Sequence, residues 1–216
     1  MALLAYCMME AATMVEKPAA GVGGRKIDEL ADSGLRCFFS RFENREQLSG
    51  TPAVESAVAF HQVLQALFQQ AVIVPFRFPT VVDGEEELRQ HVEAHASRYA
   101  EALSRLRHMV QMEIHIGQKE EGTANLPASG HEYLQGRQAL AAELKTAAKQ
   151  FRQTTGPWVA EWRERQTKQG MRCYALLSRE AVAGFQNAAR TLRQSLPGAR
   201  VSGPWPPAEF LEIKAS

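Results

Sequence analysis

The sequence has few features of a secreted, metal-binding or nucleic-acid-binding protein. Its 216 residues contain three cysteines, Cys7, Cys37 and Cys173, and none of them forms a C-x-x-C pair. An odd number of cysteines without that spacing provides neither a disulfide framework nor a zinc knuckle. We therefore expect three reduced and buried thiols. Lys plus Arg is 25 and Asp plus Glu is 24, so there is no basic excess for phosphate contacts and no nucleic-acid partner is expected.

Long hydrophobic runs are absent as well. The apolar N-terminus, residues 1–9, has no basic residue before it and is ended by Glu10, so it is too short to span a bilayer and lacks the form of a signal peptide. It predicts a buried strand instead. Because 45% of the residues are hydrophobic and 23% are charged, the chain can build the core of one large or two small globular domains. We expect a soluble, cytoplasmic protein without a membrane partner.

Motifs that would indicate catalysis are also missing. Residues 21–26 contain G-x-G-G, but no G-K-[ST] follows, so this segment predicts a flexible loop rather than a phosphate-binding loop. His91 and His95 are four residues apart, yet the sequence between them does not form H-E-x-x-H and no third metal ligand can be assigned. We expect no catalytic residue, no metal and no cofactor. The protein is predicted not to be an enzyme, and an enzyme remains the rival class.

The first half of the chain, residues 1–108, predicts an N-terminal α+β domain. Besides the strand near the N-terminus, an aromatic strand is expected at residues 35–42 and an apolar strand at residues 71–78. Thr51 and Pro52 predict the start of a helix. The expected buried face of that helix consists of Val54, Val58, His61, Leu64 and Phe68. A second helix is expected from residue 85 to about residue 108, with a buried stripe that includes His95.

The second half, residues 109–200, predicts another α+β domain. Residues 109–116 alternate between apolar and polar and indicate a half-buried strand, and a helix follows to about residue 153. One or two helical turns are expected at residues 158–162, then a strand at 171–177, a helix and a short last strand. This order resembles a modified ferredoxin-like split βαβ. The fold class is therefore α+β with two small domains, closed by a Pro-rich C-terminal tail at residues 201–216.

Four stretches carry a more specific pattern. The first is an H-x-V-L helix segment at residues 61–64 followed by the V-P-F-R-F strand at residues 74–78. The second is residues 129–137, similar to G-x-x-Y-L-x-x-R, and the third is the strand at residues 174–177 before an amphipathic helix. The fourth is G-P-W-P-P followed by Phe, in residues 202–210. In these stretches and in their order the chain resembles the GvpL/GvpF family of gas vesicle proteins.

The resemblance indicates which residues are candidates for interaction or for domain docking. They are His61, Pro75, Arg77, Phe78, Tyr133, Gly203, Pro204, Trp205, Pro206, Pro207 and Phe210. Two departures accompany them: Pro79 stands where the family usually has Gly, and Ala208-Glu209 replaces the usual Tyr-Ser.

The resemblance implies a two-domain protein that takes part in gas vesicle assembly and is located at the gas vesicle. It would bind the small shell protein and other gas vesicle accessory proteins, or would itself be a minor structural component. No reaction is associated with the family. The alternative is a non-catalytic ferredoxin-like module that binds a ligand or regulates.

Two residue roles are expected on physical grounds. Trp205 between prolines is expected to be a plug that docks the tail between the two domains, because Trp buries a large area and prolines reduce chain entropy. Arg77 is expected to pair with a carboxylate or with carbonyl groups.

Overall fold

The computed structural model describes residues 1–49, 53–117, 130–167, 169–196 and 198–211. The helices and strands follow in chain order as β1 (Ala2–Glu10), β2 (Ile27–Asp32), β3 (Leu35–Phe42), α1 (Arg45–Ser49), α2 (Ala53–Gln70), β4 (Val74–Val82), α3 (Glu85–Arg105), β5 (Met109–Gly117), α4 (Gly130–Thr155), β6 (Glu161–Thr167), β7 (Gly170–Ser178), α5 (Val182–Ser195) and β8 (Ala199–Trp205). Short 3-10 helices lie at Val22–Gly24, Gly156–Trp158, Arg179–Ala181 and Ala208–Phe210.

The chain divides into two compact units. One unit comprises residues 1–108 together with 205–216, and the other comprises residues 109–204. Each contains one four-stranded sheet and helices, so the predicted α+β class is confirmed. The second unit continues past residue 200 because β8 extends beyond the predicted short strand. The docking of the tail between the two units stays a prediction.

The sheet of the first unit has the strand order β2-β3-β1-β4, and its pairs are antiparallel. The central strand β1 is buried from Ala2 to Met9, which explains why its apolar run shows no alternation. Strand β4 lies at one edge, where Pro75 and Pro79 are tolerated because an edge strand can lack N–H donors. Strand β2 lies at the other edge and was not predicted from the sequence.

Helix α2 packs on this sheet with a face that matches the predicted one only at Leu64 and Phe68. Its buried residues are Ser56, Phe60, Val63, Leu64, Leu67 and Phe68. The ring of Phe60 lies 5.1 Å from that of Tyr6 and 5.2 Å from that of Phe78. The prediction of Val54, Val58 and His61 as core residues is therefore wrong, because the bulky Phe60 side chain occupies the sheet-facing side of the helix. Thr51 and Pro52, the predicted start of the helix, lie outside the described residues.

Helix α3 buries the stripe that its sequence predicts, apart from His95, which is only half-buried. Leu88, Val92, Tyr99 and Leu103 join β1 and β3 side chains in one hydrophobic cluster. Three acidic residues occupy the first turn of the helix, where the partial positive charge of the helix N-terminus favours them. This helix and α2 together supply the helical part of the first core.

The second unit has the element order β-α-β-β-α-β and the strand order β6-β7-β5-β8. Counted within each unit, both sheets have the same order of second, third, first and fourth strand. The predicted alternation in β5 is confirmed, since its buried apolar residues are Val110, Met112, Ile114 and Ile116. From the helices, Phe151 of α4 and Phe185 of α5 are fully buried.

One secondary-structure prediction in the second unit is wrong. Residues 158–162 were expected to form one or two helical turns, but Gly156–Trp158 forms a 3-10 turn and β6 begins at Glu161. Strand β6 pairs antiparallel with β7, with Trp162 opposite Ala175. Hydrophobic patterning did not predict β6 because its sequence is highly charged, and an edge strand needs little apolar surface.

Candidate interaction surface

The outer face of α2 presents apolar side chains to solvent. Val54 is 77% exposed and Val58 is 52% exposed, and His61 is exposed as well. Their spacing of four and three residues aligns them along one side of the helix. Single exposed valines are ordinary on protein surfaces. Here the two valines form one exposed row with His61. Because the three side chains are aligned, we consider this row a candidate for contact with a partner protein.

Trp205 extends this row at the end of β8. The centroid of its ring lies 4.8 Å from that of His61 with an interplanar angle of 66°, an edge-to-face arrangement. The Trp205 side chain is half-buried. The structure thus brings together the first and the fourth of the motif stretches. We call the surface formed by Val54, Val58, His61 and Trp205 the α2–Trp205 surface.

The residues that follow Trp205 hold it in place within the first unit. Pro206 and Pro207 are buried, and Phe210 is fully buried. The Phe210 amide donates a hydrogen bond to the Pro207 carbonyl at 3.1 Å, and the Arg105 guanidinium donates one to the Phe210 carbonyl. Two prolines restrict the backbone here, so little conformational entropy is lost when the segment is ordered. Residues 205–211 are therefore a fixed part of this unit.

Strand β4 carries three further predicted residues. The ring of Phe78 contacts that of Phe60, and Pro75 is half-buried opposite Cys7 of β1. Arg77 is exposed, and the expected pairing of its guanidinium with a carboxylate or a carbonyl is not observed among the described residues. Of the three residues, Phe78 supports the packing of α2 on the sheet.

The remaining predicted residues belong to the second unit. Gly203 and Pro204 lie in β8, and Tyr133 lies in α4. The side chain of Tyr133 is outside the described part of the structure.

Sequence reasoning missed the exposure of Val54 and Val58. A comparison of the two possible faces of α2 could have revealed it, since Phe60, Val63 and Leu67 form the bulkier stripe.

The histidine pair of α3 forms a cluster of rings. His91 Nε2 lies 2.8 Å from the Tyr99 hydroxyl, and His95 Nδ1 lies 2.9 Å from the His91 carbonyl oxygen. Burial lowers the pKa of His91, with a further contribution from His95, and burial raises the pKa of Tyr99 to about 12. Within the described residues, no group of three or more His, Cys, Asp or Glu side chains could hold a metal ion. The cluster is a packed polar contact between neighbouring turns of one helix.

The glycine-rich segment, residues 21–26, is joined to the first sheet by hydrogen bonds. The Val22 amide donates to the Tyr6 hydroxyl at 2.9 Å, which donates to Ser40 Oγ at 3.0 Å, and Ser40 donates to the Lys26 carbonyl at 2.9 Å. A Cβ at Gly21 would lie 2.2 Å from the Tyr6 oxygen. The predicted flexible loop is therefore fixed by a buried hydrogen-bond chain around these residues.

Replacement of Tyr6 by Phe is expected to lower the free energy of unfolding by about 1–3 kcal/mol, because the buried Val22 amide loses its acceptor. Urea unfolding followed by circular dichroism measures this change. Ser195→Ala, which removes an exposed hydroxyl, should stay within about 0.5 kcal/mol. Equal midpoints for Tyr6→Phe and the parent would show that the hydrogen-bond chain does not stabilise the fold.

Comparison with known proteins identifies the family. The model of the family described as gas vesicle synthesis protein GvpL/GvpF matches residues 2–212. The chain belongs to this family. The resemblance seen in the four motif stretches is thereby confirmed. No protein of curated function matches the chain.

Two solved structures of the GvpL/GvpF family are similar to this chain. The crystal structure of gas vesicle protein GvpF from Anabaena sp. PCC7120 has a TM-score of 0.73 and 14% identity, covering 99% of this chain and 97% of its own. That of GvpF from Microcystis aeruginosa has a TM-score of 0.76 and 13% identity, covering 98% and 99%. At this identity the likeness shows the fold, and it extends over the full length of both proteins.

Membership of the GvpL/GvpF family gives the chain a role related to gas vesicles. The family is described as one of gas vesicle synthesis proteins, and both similar structures are of the gas vesicle protein GvpF. Of the helices that the structure describes, none combines the length and the apolar character needed to cross a membrane. The α2–Trp205 surface, where two family motifs meet, is thus the candidate site of a protein contact.

Proposed function

We propose that this protein takes part in gas vesicle assembly by binding the shell protein, either as an assembly factor or as a minor structural component. The observation that carries the proposal is the α2–Trp205 surface. Two exposed valines are aligned with a His–Trp ring pair there, and the pair joins two motif stretches that are distant in sequence. Tryptophan is enriched among the residues that contribute most to binding, and the buried core of an interface is more apolar than its rim.

A physical need for such a contact exists. A small shell protein that polymerises through sheet edges would be prone to aggregate before it is incorporated. A partner that binds the free subunit would hold it back by mass action. A reversible contact suits the task of holding back the free subunit, because the bound subunit must be released to the growing shell.

The proposal describes a binding protein without catalytic activity. Burial raises the pKa of Cys7 and Cys37 and that of Cys173 to about 12, so these thiols do not supply a thiolate nucleophile at neutral pH. The paired histidines of α3 contact each other and Tyr99. These contacts support packing roles for the side chains that an enzyme would most readily use.

The test replaces one exposed valine by a charged residue. Tagged protein co-expressed with the shell protein should retain it, and Val58→Asp should reduce the retained amount at least about tenfold, since a charge on an apolar contact is desolvated without a partner. The melting temperature should stay unchanged because the side chain is exposed. Met14→Asp, at an 85% exposed position of the same unit, is the matched control and should retain the shell protein.

Two results would contradict the proposal. The first is equal retention of the shell protein by the parent, Val54→Asp and Val58→Asp. This result would show that the α2–Trp205 surface does not take part in the contact. The second is failure of the parent to retain the shell protein combined with normal vesicles after deletion of the protein. Immunoblotting of purified vesicles distinguishes the two forms of the proposal, since only a structural component stays with the shell.

A further inference from the structure

Strand β8 is an edge strand of the second sheet as far as the structure describes it. It is the last strand in the order β6-β7-β5-β8, and among the described residues no strand pairs with its outer side. Ala199, Val201 and Gly203 alternate with the exposed Arg200 and Ser202. An open edge offers backbone N–H and C=O groups in the geometry that a further strand requires.

A cleft of about 230 Å³ lies beside this edge, between α5 and the strands. Its lining includes Met112, Ala189, Arg190, Arg193, Val201 and Gly203. Met112 and Ala189 are buried beside the cleft, whereas the two arginines are exposed at its rim. The cleft is smaller than a typical small-molecule pocket of about 300–1,000 Å³. Its size suits one or two side chains rather than a cofactor.

The rim of the cleft carries uncompensated positive charge. No carboxylate is among the lining residues. Arg190 donates only to the neutral Asn187 side chain, at 3.3 Å. The guanidinium of Arg193 forms no hydrogen bond or ion pair among the described residues. By contrast, Arg41 of the first unit contacts two carboxylates.

The spacing of the two arginines adds to the charge argument. They are three residues apart and lie on one side of α5, where like charges repel. A carboxylate placed between them would remove this repulsion and would accept charge-assisted hydrogen bonds from both guanidinium groups. The charge of the cleft therefore selects an anionic group.

We propose that this cleft binds an extended, acidic segment of a partner protein. The segment adds as a strand to the edge of β8, and its Asp or Glu side chain enters the cleft and lies between Arg190 and Arg193. Strand addition supplies affinity through backbone hydrogen bonds, while alternate side chains supply specificity. The proposal concerns a surface of the second unit and does not depend on the proposed function.

A protein segment fits the cleft better than a nucleic acid. The formal net charge is only +1, and phosphate binding along a strand of nucleic acid needs a longer basic surface. The strand edge beside the cleft has no role in phosphate binding, whereas a peptide strand would pair with it through backbone hydrogen bonds.

The test uses the full-length chain and a fluorescent, blocked hexapeptide of alternating valine and glutamate. Fluorescence anisotropy should show saturable binding, and the same peptide with glutamine for glutamate should bind at least about tenfold more weakly, as expected for loss of charge-assisted hydrogen bonds. The double variant Arg190→Gln/Arg193→Gln should weaken binding of the glutamate peptide to the same extent. Arg200→Gln, at an exposed position of β8 outside the lining, should leave it unchanged.

Hydrogen exchange provides the readout for strand addition. The glutamate peptide should slow amide exchange in residues 199–204 of the parent and not in the double variant. Equal binding of the two peptides, or equal binding by the parent and the double variant, would overturn the carboxylate site. Binding without protection of β8 would overturn strand addition. A polyuridylate that binds more tightly than the peptide, and loses affinity in the double variant, would overturn the choice of a protein partner.

Discussion

Replacement of Phe210 by alanine is expected to lower the free energy of unfolding of the first unit by about 3–5 kcal/mol. Phe210 is fully buried although it lies near the end of the chain, and Leu211 beside it packs against the hydrophobic cluster of this unit. Its carbonyl also accepts the hydrogen bond from Arg105. Loss of the ring leaves a cavity and loosens the turn that holds this acceptor. Urea unfolding monitored by near-UV circular dichroism measures the change.

The half-buried Trp205 is the matched comparison within the same tail. The sequence alone favoured Trp205 as a plug. Because Phe210 is fully buried and Trp205 is half-buried, Trp205→Ala should cost less stability than Phe210→Ala. A larger loss for Trp205→Ala would show that the indole, and not the buried ring of Phe210, anchors the tail. Loss of shell-protein binding in Trp205→Ala with little change in stability would support the proposed contact.

The interior strands of both sheets could be predicted from the sequence, whereas two edge strands could not. Strand β1 is a continuous apolar run because both of its faces are buried, and β5 alternates because mainly one of its faces is buried. Strand β2 contains three acidic residues and β6 contains four charged ones, so hydrophobic patterning gives no signal. An edge strand is held by backbone hydrogen bonds to one neighbour, and its charges protect against unwanted pairing. Such strands can be recognised only when the neighbouring strand is known.

The orientation of α2 illustrates a second limit of sequence reasoning. Both Val54–Val58 and Phe60–Val63–Leu67 have helical spacing, because this helix is apolar on more than one side. The sheet decides between them, since the Phe60 ring fits between those of Tyr6 and Phe78. The candidate site depends on this choice. The tail motif is visible in the sequence, but its contact with His61 is a tertiary feature that local patterns do not encode.

Gly203 lies at a position of β8 where a side chain cannot be accommodated without movement. Its φ angle is 118°, in a region that L-residues rarely adopt, and a Cβ would lie 2.8 Å from the Gln111 carbonyl oxygen and 2.9 Å from Met112 Sδ. Gly203→Ala is therefore expected to lower the free energy of unfolding of the second unit by about 3 kcal/mol or more, from backbone strain and overpacking together. Urea unfolding with a probe in that unit measures the loss.

Gly136 of α4 provides the control of opposite sign. It is exposed in a helix, and no atom lies within 4 Å of a Cβ placed there, so Gly136→Ala should raise the stability by about 0.5–1 kcal/mol. Opposite changes at the two glycines would show that Gly203 is required by its backbone angle and its contacts with β5. Equal stability of Gly203→Ala and the parent would instead mean that β8 can shift away from Met112. The cleft beside β8 would then be adjustable, and its shape would contribute little to the choice of a binding segment.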